Sequence, residues 1–344
     1  MIILGIETSC DETSVGIIRA DKKNGKVEVL ANVVASSLSL HAKTGGIIPE
    51  IAAREQVKYI IPAIEKAFKN LSNAREEIDA IAVTIGPGLI GSLLVGVETA
   101  RVISYAWKKP LISVNHLFGH IYANWIKQEN DNQIEFPVVA LIVSGGHTDL
   151  VLIKNHGDIK WLGGTRDDAA GEAFDKTGRL LGLTYPGGPQ IEKMATGVTK
   201  DIFNFPRPLI DSNDFDFSFS GLKTAVLRQV ERKQKDNGLN KEVVKNICYS
   251  LQNAIFDVLI KKTMTATKKF KAKSIVLGGG VAANQTLKKY FENYIKKNNP
   301  DIKLFIPPKH LCTDNGAMIC AAGFFNYEKT PWEKITANPE LYFD

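Results

Sequence analysis

Two histidines, His116 and His120, stand four residues apart in the stretch 113–120. If this stretch is helical, the two side chains share one face, so that both imidazoles can reach the same ion. Imidazole nitrogen is a ligand of zinc and iron, at about 2.0–2.1 Å from zinc. The spacing therefore makes the pair a candidate metal site, with ordinary core or surface histidines as the alternative.

The residue after the first histidine is Leu117. In the His-Glu-x-x-His helix of metalloproteases, that position holds the glutamate that acts as general base. The spacing of His116 and His120 therefore does not indicate peptide hydrolysis, and a metalloprotease is a weak hypothesis for this chain.

An internal repeat supplies the elements that must position the histidines. The pattern strand–turn–strand occupies residues 2–18 and recurs at 138–153. The pattern strand–glycine loop–helix occupies residues 78–107 and recurs at 274–296. One α/β unit therefore occurs twice in the same order, and the longer middle of the second copy, about 163–270, is predicted to be mostly helical.

This duplication predicts two α/β domains with an interdomain nucleotide cleft. We place the first domain at residues 1–112 plus about 324–344, and the second at 113–323 including the helical insertion. The glycine loops 86–92 and 278–284 can bring backbone amides close to an anion. A tight turn without a ligand is the alternative for each loop.

Composition is that of an ordinary globular protein, with 44% hydrophobic and 23% charged residues among 344. Lys and Arg number 43 against 37 Asp and Glu, and the resulting net charge of +6 is compatible with an anionic partner. The four cysteines are scattered, which argues against a disulfide framework or a cysteine zinc site. No apolar run suits a membrane span and no signal peptide is recognisable, so we expect a cytoplasmic protein without membrane contact.

Ten short motifs occur in one order across nearly the whole chain. They are ETSCDET (7–13), GGIIPE (45–50), GPGL (86–89), HLFGH (116–120), VSGGHT (143–148), DDAAGEAFDK (167–176), YPGGP (185–189), FSFSGLK (217–223), GGGVAAN (278–284) and CTDNGAM (312–318). With this ordered set the chain resembles the bacterial tRNA threonylcarbamoyladenosine transferase (TsaD) family, formerly called glycoproteases. The resemblance implies a duplicated actin-like (ribonuclease H-like) fold, that of the actin, Hsp70 and sugar-kinase superfamily.

The resemblance also implies an activity. The family transfers a threonylcarbamoyl group from threonylcarbamoyl-AMP to N6 of the adenosine 3′-adjacent to the anticodon, in tRNAs that read codons beginning with A, and releases AMP. One divalent metal per subunit is implied, with Fe²⁺ as the first candidate and Zn²⁺ as the second. The implied partners are tRNA, an inactive paralogue of the same fold (TsaB) and a P-loop ATPase (TsaE).

Metal ligands implied by the resemblance are His116, His120 and Asp314. Asp314 lies between a proline pair and an apolar helix that is predicted from about Ala317. Taken by itself, an aspartate in this setting would be a helix N-cap, and that is the alternative for Asp314.

Substrate-binding positions are implied in the second half of the chain. They are Ile142, Val143, Ser144, Gly145, Gly146, Asp175, Gly188, Glu192 and Asn284. Without the surrounding motifs, Asp175 would be interpreted as a solvated helix carboxylate, Gly188 as a turn glycine and Asn284 as a helix cap.

Asp11 and Glu12 are the candidate catalytic residues on the first hairpin. They could orient the substrate or accept the proton of the attacking amine, with water-exposed turn residues as the alternative. The basic stretches 228–241 and 261–273 are candidates for tRNA phosphate contacts, with solvated helix faces as the alternative.

Three positions depart from patterns found among relatives. Archaeal and eukaryotic relatives carry a tyrosine metal ligand where this chain has Ile142, and an asparagine where it has His147. The family usually has histidine where this chain has Gln56. The first two differences make the chain bacterial in type, and the third leaves any role of that histidine open.

Two further readings belong to other classes of function. A sugar or acetate kinase of the same superfamily would phosphorylate a small acceptor and would not need two histidines. A catalytically silent scaffold, like the paralogue of the family, would lack the histidine pair that this chain keeps at His116 and His120.

Overall fold

The computed structural model describes residues 1–38, 40, 41, 46–69, 71–126, 133–236 and 238–343. Gly45 of the motif 45–50 therefore lies outside the described residues. The chain forms two compact units, one of Met1–Gln133 with Pro307–Asp344 and one of Ile134–Ile306.

Strands and helices alternate along both units. The strands are β1 (Ile2–Glu7), β2 (Glu12–Ala20), β3 (Val27–Ser36), β4 (Ala80–Gly86), β5 (Leu111–Asn115), β6 (Val138–Val143), β7 (Thr148–Asn155), β8 (Asp158–Gly164), β9 (Ser274–Gly278), β10 (Lys303–Phe305) and β11 (Lys329–Thr330). The helices are α1 (Pro49–Phe68), α2 (Ala74–Glu77), α3 (Ile90–Trp107), α4 (His116–Tyr122), α5 (Ala170–Leu180), α6 (Gly187–Ala195), α7 (Ser220–Asp236), α8 (Lys241–Lys269), α9 (Gln285–Asn298), α10 (Lys309–Cys312) and α11 (Gly316–Phe325).

The sheets of the two units share the topology of five strands, and β11 adds a sixth strand, antiparallel to β5, to the first sheet. The first has the order β11-β5-β4-β1-β2-β3 and the second the order β10-β9-β6-β7-β8. In each, three antiparallel strands are followed by two parallel ones, β3-β2-β1 by β4 and β5, and β8-β7-β6 by β9 and β10. The duplication predicted from the sequence is thereby confirmed at the level of strand order and direction.

Helix α11 is the buried centre of the first unit. Its residues from Gly316 to Gly323 are all buried, and it packs against β1, β2 and α4. A helix that is apolar on every side must be covered on every side. Glycine permits the approach, because a Cβ on Gly16 of β2 would lie 2.2 Å from the backbone nitrogen of Ala317.

The second unit carries the helical insertion that the sequence predicts. Helices α5 to α8 lie between β8 and β9, and α8, the longest, packs against α6, α7 and β6. Phe215, Phe217 and Phe219 belong to the core of this unit, together with residues of α7 and α8. Their alternation therefore reflects an extended segment buried in the core and not a base-stacking surface.

The bounds of the two compact units differ from those of the predicted domains. Residues 113–133 and 307–323 belong to the first unit, whereas the sequence pattern predicts them in the second domain. The reason is packing: α4 and the 3-10 turn Ala123–Trp125 contact α11, which itself lies on the first sheet. The stretch that holds the histidine pair is thus part of the first unit.

Among the described residues, no helix combines the length and the apolar character that a membrane span requires.

Candidate metal centre and its acidic turn

The histidine pair lies at the start of helix α4. Asn115 caps this helix, and its Oδ1 accepts a hydrogen bond from the Leu117 amide at 2.8 Å. The cap fixes the first turn, so that His116 and His120 face the same side with ring centroids 4.7 Å apart. The helical spacing predicted from the sequence is confirmed.

Asp314 lies against both imidazoles. Its Oδ1 is 3.6 Å from His116 Nε2 and 3.2 Å from His120 Nε2. One ligand atom from each of the three residues lies within 4.8 Å of the others. The N-cap of α11 is Asn315, whose side chain accepts from the Met318 amide, so the alternative of a helix cap is wrong for Asp314.

The buried ring of His120, unsatisfied among the described residues, is what a metal ligand would show in the absence of its ion. His120 is 1% exposed, and neither of its ring nitrogens has a hydrogen-bond partner among the described residues; the 3.2 Å contact with Asp314 lacks hydrogen-bond geometry. A buried polar atom without a partner is costly, and a ligated cation would satisfy Nε2. Two imidazoles and one carboxylate also form a donor set that leaves coordination positions open.

Glu7 orients the other face of His116. This residue ends strand β1 and is fully buried, and its Oε2 lies 3.0 Å from His116 Nδ1. Its two oxygens also accept from the Ser9 amide at 2.6 Å and from the Thr84 hydroxyl at 2.6 Å. A carboxylate on Nδ1 leaves Nε2 for the metal, which is the usual arrangement behind a ligating histidine.

Charge around His116 favours its protonated form when no cation is bound. Burial lowers the pKa of His116, but the carboxylates of Glu7 and Asp314 outweigh burial and raise it to about 9. A metal ion would therefore replace a proton at this position.

The turn between β1 and β2 carries the predicted catalytic carboxylates. Asp11 is 9% exposed, and Glu12 is half-buried and accepts from the Ser36 hydroxyl at 3.2 Å. Burial, followed by the carboxylates of Asp314 and Asp11, raises the pKa of Glu12 well above its usual value. Burial and the same carboxylates raise the pKa of Cys10, which therefore stays a neutral thiol. The alternative of two water-exposed turn residues is wrong for this pair.

Gln56 of α1 fixes the backbone of this turn. Its Nε2 lies 3.3, 2.9 and 3.1 Å from the carbonyl oxygens of Thr8, Cys10 and Glu12, with both of its hydrogens available to these acceptors. The side chain is 1% exposed, and its Oε1 has no hydrogen-bond partner in the described parts of the chain. Three carbonyls on one side identify the amide nitrogen, because the oxygen would be repelled there.

The glycine loop after β4 is occupied by the chain itself. The Gly88 amide donates to Pro339 O at 3.2 Å and the Leu89 amide to Ser9 O at 2.8 Å. A Cβ on Gly88 would lie 2.5 Å from the Ser9 carbonyl oxygen. These glycines therefore serve a close backbone approach, and the tight turn is the better interpretation of this loop.

In the second unit, the predicted hairpin lies where expected. Ile142 and Val143 are buried in β6, and the turn that follows contains Ser144, Gly145 and Gly146. The Ser144 amide donates to His147 O within the turn. Gly145 and Gly146 are exposed, and a Cβ on either would meet nothing within 4 Å.

The remaining predicted positions form two pairs at helix N-termini. Asp175 Oδ1 accepts a hydrogen bond from the Gly187 amide at 2.7 Å, next to Gly188. Burial raises the pKa of Asp175, although the backbone hydrogen bonds from Gly187 and Gly188 lower it. Glu192 Oε1 accepts from the first two amides of α9 at 2.8 and 3.1 Å. Asn284 caps the same helix through its Oδ1, which confirms the alternative of a cap for this residue.

The second basic stretch is partly structural. Lys262 is 2% exposed and its ammonium donates to the Ser212 hydroxyl at 2.6 Å and to Asp214 O at 2.8 Å. Lys269 lies over the rings of Phe215 and Phe270. These lysines hold the insertion together, so this stretch is a poor candidate for phosphate contacts.

Glu7 and Gln56 are site residues that the sequence motifs do not predict. An acidic residue at the end of the otherwise apolar strand Ile2–Glu7 was a usable signal, because a buried carboxylate needs partners. For Gln56 the sequence held no signal besides its departure from histidine, since its three acceptors belong to a turn some 44–48 positions away.

We expect His120→Ala to lower the affinity for Zn²⁺ or Fe²⁺ by at least about a hundredfold, because one of three protein ligands is lost. Isothermal titration of protein stripped with a chelator measures this affinity. His310→Ala is the control, since His310 is exposed on α10, and it should bind like the wild type. Equal affinities for both variants would contradict the site.

Gln56→Leu should lower the free energy of unfolding by about 1–3 kcal/mol, because carbonyl groups of the turn lose their donor inside the protein. Urea unfolding measures the change. Arg54→Ala, an exposed position on the same helix, should stay within about 0.5 kcal/mol of wild type. A Gln56→Leu protein as stable as the Arg54→Ala protein would show that the turn does not depend on this amide.

Comparison with known proteins places these residues in a family. The model of the TsaD family, described as tRNA N6-adenosine threonylcarbamoyltransferase, matches residues 28–321. A protein of that name from Thermosipho africanus is 49% identical over 96% of this chain and 95% of its own length. One from Bacillus subtilis is 48% identical over 96% of this chain and 91% of its own length.

Solved structures with low sequence identity share the fold. HypF of T. kodakarensis has a TM-score of 0.62 at 14% identity and covers 95% of this chain and 47% of its own. Component A of the (R)-2-hydroxyglutaryl-CoA dehydratase of Acidaminococcus fermentans has a TM-score of 0.52 at 16% identity, covering 95% and 98%. The duplicated actin-like fold predicted from the sequence is thus confirmed, and the family match identifies the chain as a member of the TsaD family of tRNA N6-adenosine threonylcarbamoyltransferases.

Proposed function

We propose that this protein transfers the threonylcarbamoyl group of threonylcarbamoyl-AMP to N6 of the adenosine 3′-adjacent to the anticodon, in tRNAs that read codons beginning with A. AMP is the second product. The observation that carries the proposal is the assembled group of His116, His120 and Asp314 in a chain that belongs to this family over nearly its full length. A tRNA substrate also agrees with the cytoplasmic location expected from the sequence.

His116, His120 and Asp314 are the residues that would hold the metal. Two histidines and a carboxylate are the donor set of many Fe²⁺ sites and are compatible with Zn²⁺, so Fe²⁺ is the first candidate and Zn²⁺ the second. When bound, the ion would supply a Lewis acid beside the reacting carbonyl or phosphate.

Glu12 is the proposed proton acceptor. In the reaction a bond forms between N6 and the carbamoyl carbon, the bond from that carbon to the phosphate oxygen breaks, and N6 loses one proton. A raised pKa makes Glu12 a better base than an ordinary glutamate. Asp11 is proposed to orient the amine, and Gln56 holds the backbone from which both side chains project.

The hairpin of the second unit is proposed to bind the phosphate or the developing oxyanion. The amides of Gly145 and Gly146 make no hydrogen bond within the described residues, so they remain available as donors. The Ser144 amide donates to His147 O within the turn, so it holds the hairpin in shape and is not available to the substrate. Ile142, Val143, Asp175, Gly188, Glu192 and Asn284 remain proposed substrate positions.

Helix α7 is the proposed surface for tRNA phosphates. No described carboxylate lies within ion-pair distance of Arg228, Arg232 or Lys233. Two of these cations line a pocket of about 560 Å³, together with one carboxylate and several polar and apolar residues: Ile202, Phe203, Gln229, Arg232, Lys233, Asn240, Glu242, Val243 and Asn246. Cations that line a pocket attract phosphates, and the resulting affinity falls steeply as salt rises.

An exposed apolar face on α1 and α3 is proposed to bind the TsaB-like paralogue. Val57 of α1 and Val102 and Tyr105 of α3 are 63%, 64% and 66% exposed. The two helices pack side by side, since a Cβ on Gly91 would lie 3.2 Å from Ala53 Cβ. A partner of the same fold can present a matching pair of helices, which suits exposed apolar side chains on two adjacent helices. The proposal that a TsaE-like ATPase is a further partner rests on the family resemblance alone.

The transfer assay tests the function directly. Purified protein is mixed with unmodified tRNA, threonylcarbamoyl-AMP, metal and the two partners, and digested nucleosides are analysed by mass spectrometry. We expect threonylcarbamoyladenosine from the wild type, a loss of about 10²–10⁴ in rate for Glu12→Gln, and no loss for the exposed Glu28→Gln. Omitting one partner at a time shows which partner is required.

No modified nucleoside from metal-loaded wild type with both partners would contradict the proposed transfer. Equal rates for Glu12→Gln and Glu28→Gln would remove Glu12 from the mechanism and leave the transfer standing. The same reaction at rising salt tests the phosphate contacts, because tRNA binding should weaken with salt and more shallowly in Arg232→Ala.

Val102→Glu should weaken binding of the paralogue by more than about tenfold, because a charge replaces an apolar contact. Ile202→Glu is the matched control, an exposed apolar residue of the second unit. Titration of each variant with the purified paralogue measures the affinity. Similar affinities for the two variants would place the paralogue on another surface.

A further inference from the structure

The segment 338–343 lies against the glycine loop that follows β4. The Asn338 amide donates to Ile85 O at 2.7 Å, and Pro339 O accepts from the Gly88 amide at 3.2 Å. A Cβ on Gly86 would overlap the Asn338 carbonyl oxygen, at 1.8 Å. The glycine at position 86 is therefore needed for this contact.

The same segment reaches the metal-binding helix through Asn115. Asn115 Nδ2 donates to Tyr342 O at 2.6 Å, while its Oδ1 accepts from the Leu117 amide at 2.8 Å. One side chain thus joins the segment to the first turn of α4, directly before His116. Asn115 is 9% exposed, so water competes poorly for these hydrogen bonds.

A second contact lies further along the same helix. The ring of Phe343 packs on that of Phe118, with centroids 5.9 Å apart. Phe118 stands between the two histidines in the chain and its ring lies on α4. The segment therefore contacts the helix at two points that flank His116.

The burial of the segment argues against a simple core role. None of the residues 338–343 is fully buried, whereas Ile335 just before them is 2% exposed and anchors the chain in the core of the first unit. Removal of 338–343 would leave no large cavity. Its hydrogen bonds go to β4 and the glycine loop and, through Tyr342 O, to Asn115, the residue that caps the metal-binding helix.

We propose that the segment 338–343 is a positioning element of the metal centre, which sets the orientation of His116 through Asn115 and so raises the affinity for the metal. This inference rests on the proposed metal site and is independent of the transfer reaction. Groups that orient a ligating residue are typically worth about 10–100-fold in metal affinity.

The test is a chain ended after Ala337, compared with the full chain by Zn²⁺ titration of the metal-free protein. We expect the affinity to fall about 10–100-fold. The affinity of Asn115→Ser should fall similarly, because serine still caps α4 but its shorter side chain lacks the amide group that reaches Tyr342 O. Glu340→Gln is the control, an exposed side chain in the same segment, and should bind Zn²⁺ like the wild type.

Two further readouts separate positioning from mere stability. The visible spectrum of Co²⁺-loaded protein reports ligand geometry and should change in Asn115→Ser but not in Glu340→Gln. Amide exchange of α4 in metal-free protein should accelerate in the shortened chain, while that of α8 should not change.

Wild-type Zn²⁺ affinity in both the shortened chain and Asn115→Ser would overturn the inference. Faster amide exchange in α4 with unchanged Zn²⁺ affinity would also overturn it, because the segment would then stabilise the helix without orienting the metal ligands. A full chain that binds neither Zn²⁺ nor Fe²⁺ would overturn the metal centre itself. A wild-type protein that binds Zn²⁺ but does not transfer the group would contradict the proposed function. The present inference would still be decided by the difference in Zn²⁺ affinity between the full chain and its variants.

Discussion

The close backbone approach of α11 to β2 is the constraint on which the candidate site depends. Gly16 and Gly316 face each other, and a Cβ on Gly316 would lie 2.1 Å from the Gly16 amide nitrogen. The Gly316 amide also donates to the Ser14 hydroxyl at 2.8 Å. Because α11 begins at this contact, Asp314 just before it reaches the imidazoles of α4, nearly two hundred positions earlier in the chain. A larger residue at either glycine would move the carboxylate away from the histidines.

Electrostatics give the assembled group its chemical character. Glu7 and Asp314 contact the buried imidazoles, while burial, followed by the carboxylates of Asp314 and Asp11, raises the pKa of Glu12. A divalent cation among the ligands would offset the repulsion between these carboxylates and would ligate His120 Nε2, which has no hydrogen-bond partner among the described residues. The hydrogen bond that Glu7 accepts from His116 fixes one metal ligand, and those that Gln56 donates to the turn fix the backbone of Asp11 and Glu12.

Much of the fold followed from hydrophobic periodicity, since the two copies of the unit repeat the same strand and helix pattern and the two sheets repeat the same strand order. The spacing of His116 and His120 predicted their shared face, which is a local property of a helix. Asp314 could be assigned only by family resemblance, because its partners lie far away in the chain. The unit boundaries, the contacts of Gln56 and the placement of segment 338–343 depend on tertiary packing that no local pattern encodes.

The central claim is that His116, His120 and Asp314 bind one metal ion. Crystals of the protein purified with Fe²⁺ or Zn²⁺, measured on both sides of the metal absorption edge, test it most directly. We predict one anomalous peak at about 2.0–2.2 Å from an imidazole nitrogen of each histidine and from a carboxylate oxygen of Asp314. A metal-loaded crystal with no peak between these residues, or with its peak at another group, would contradict the account.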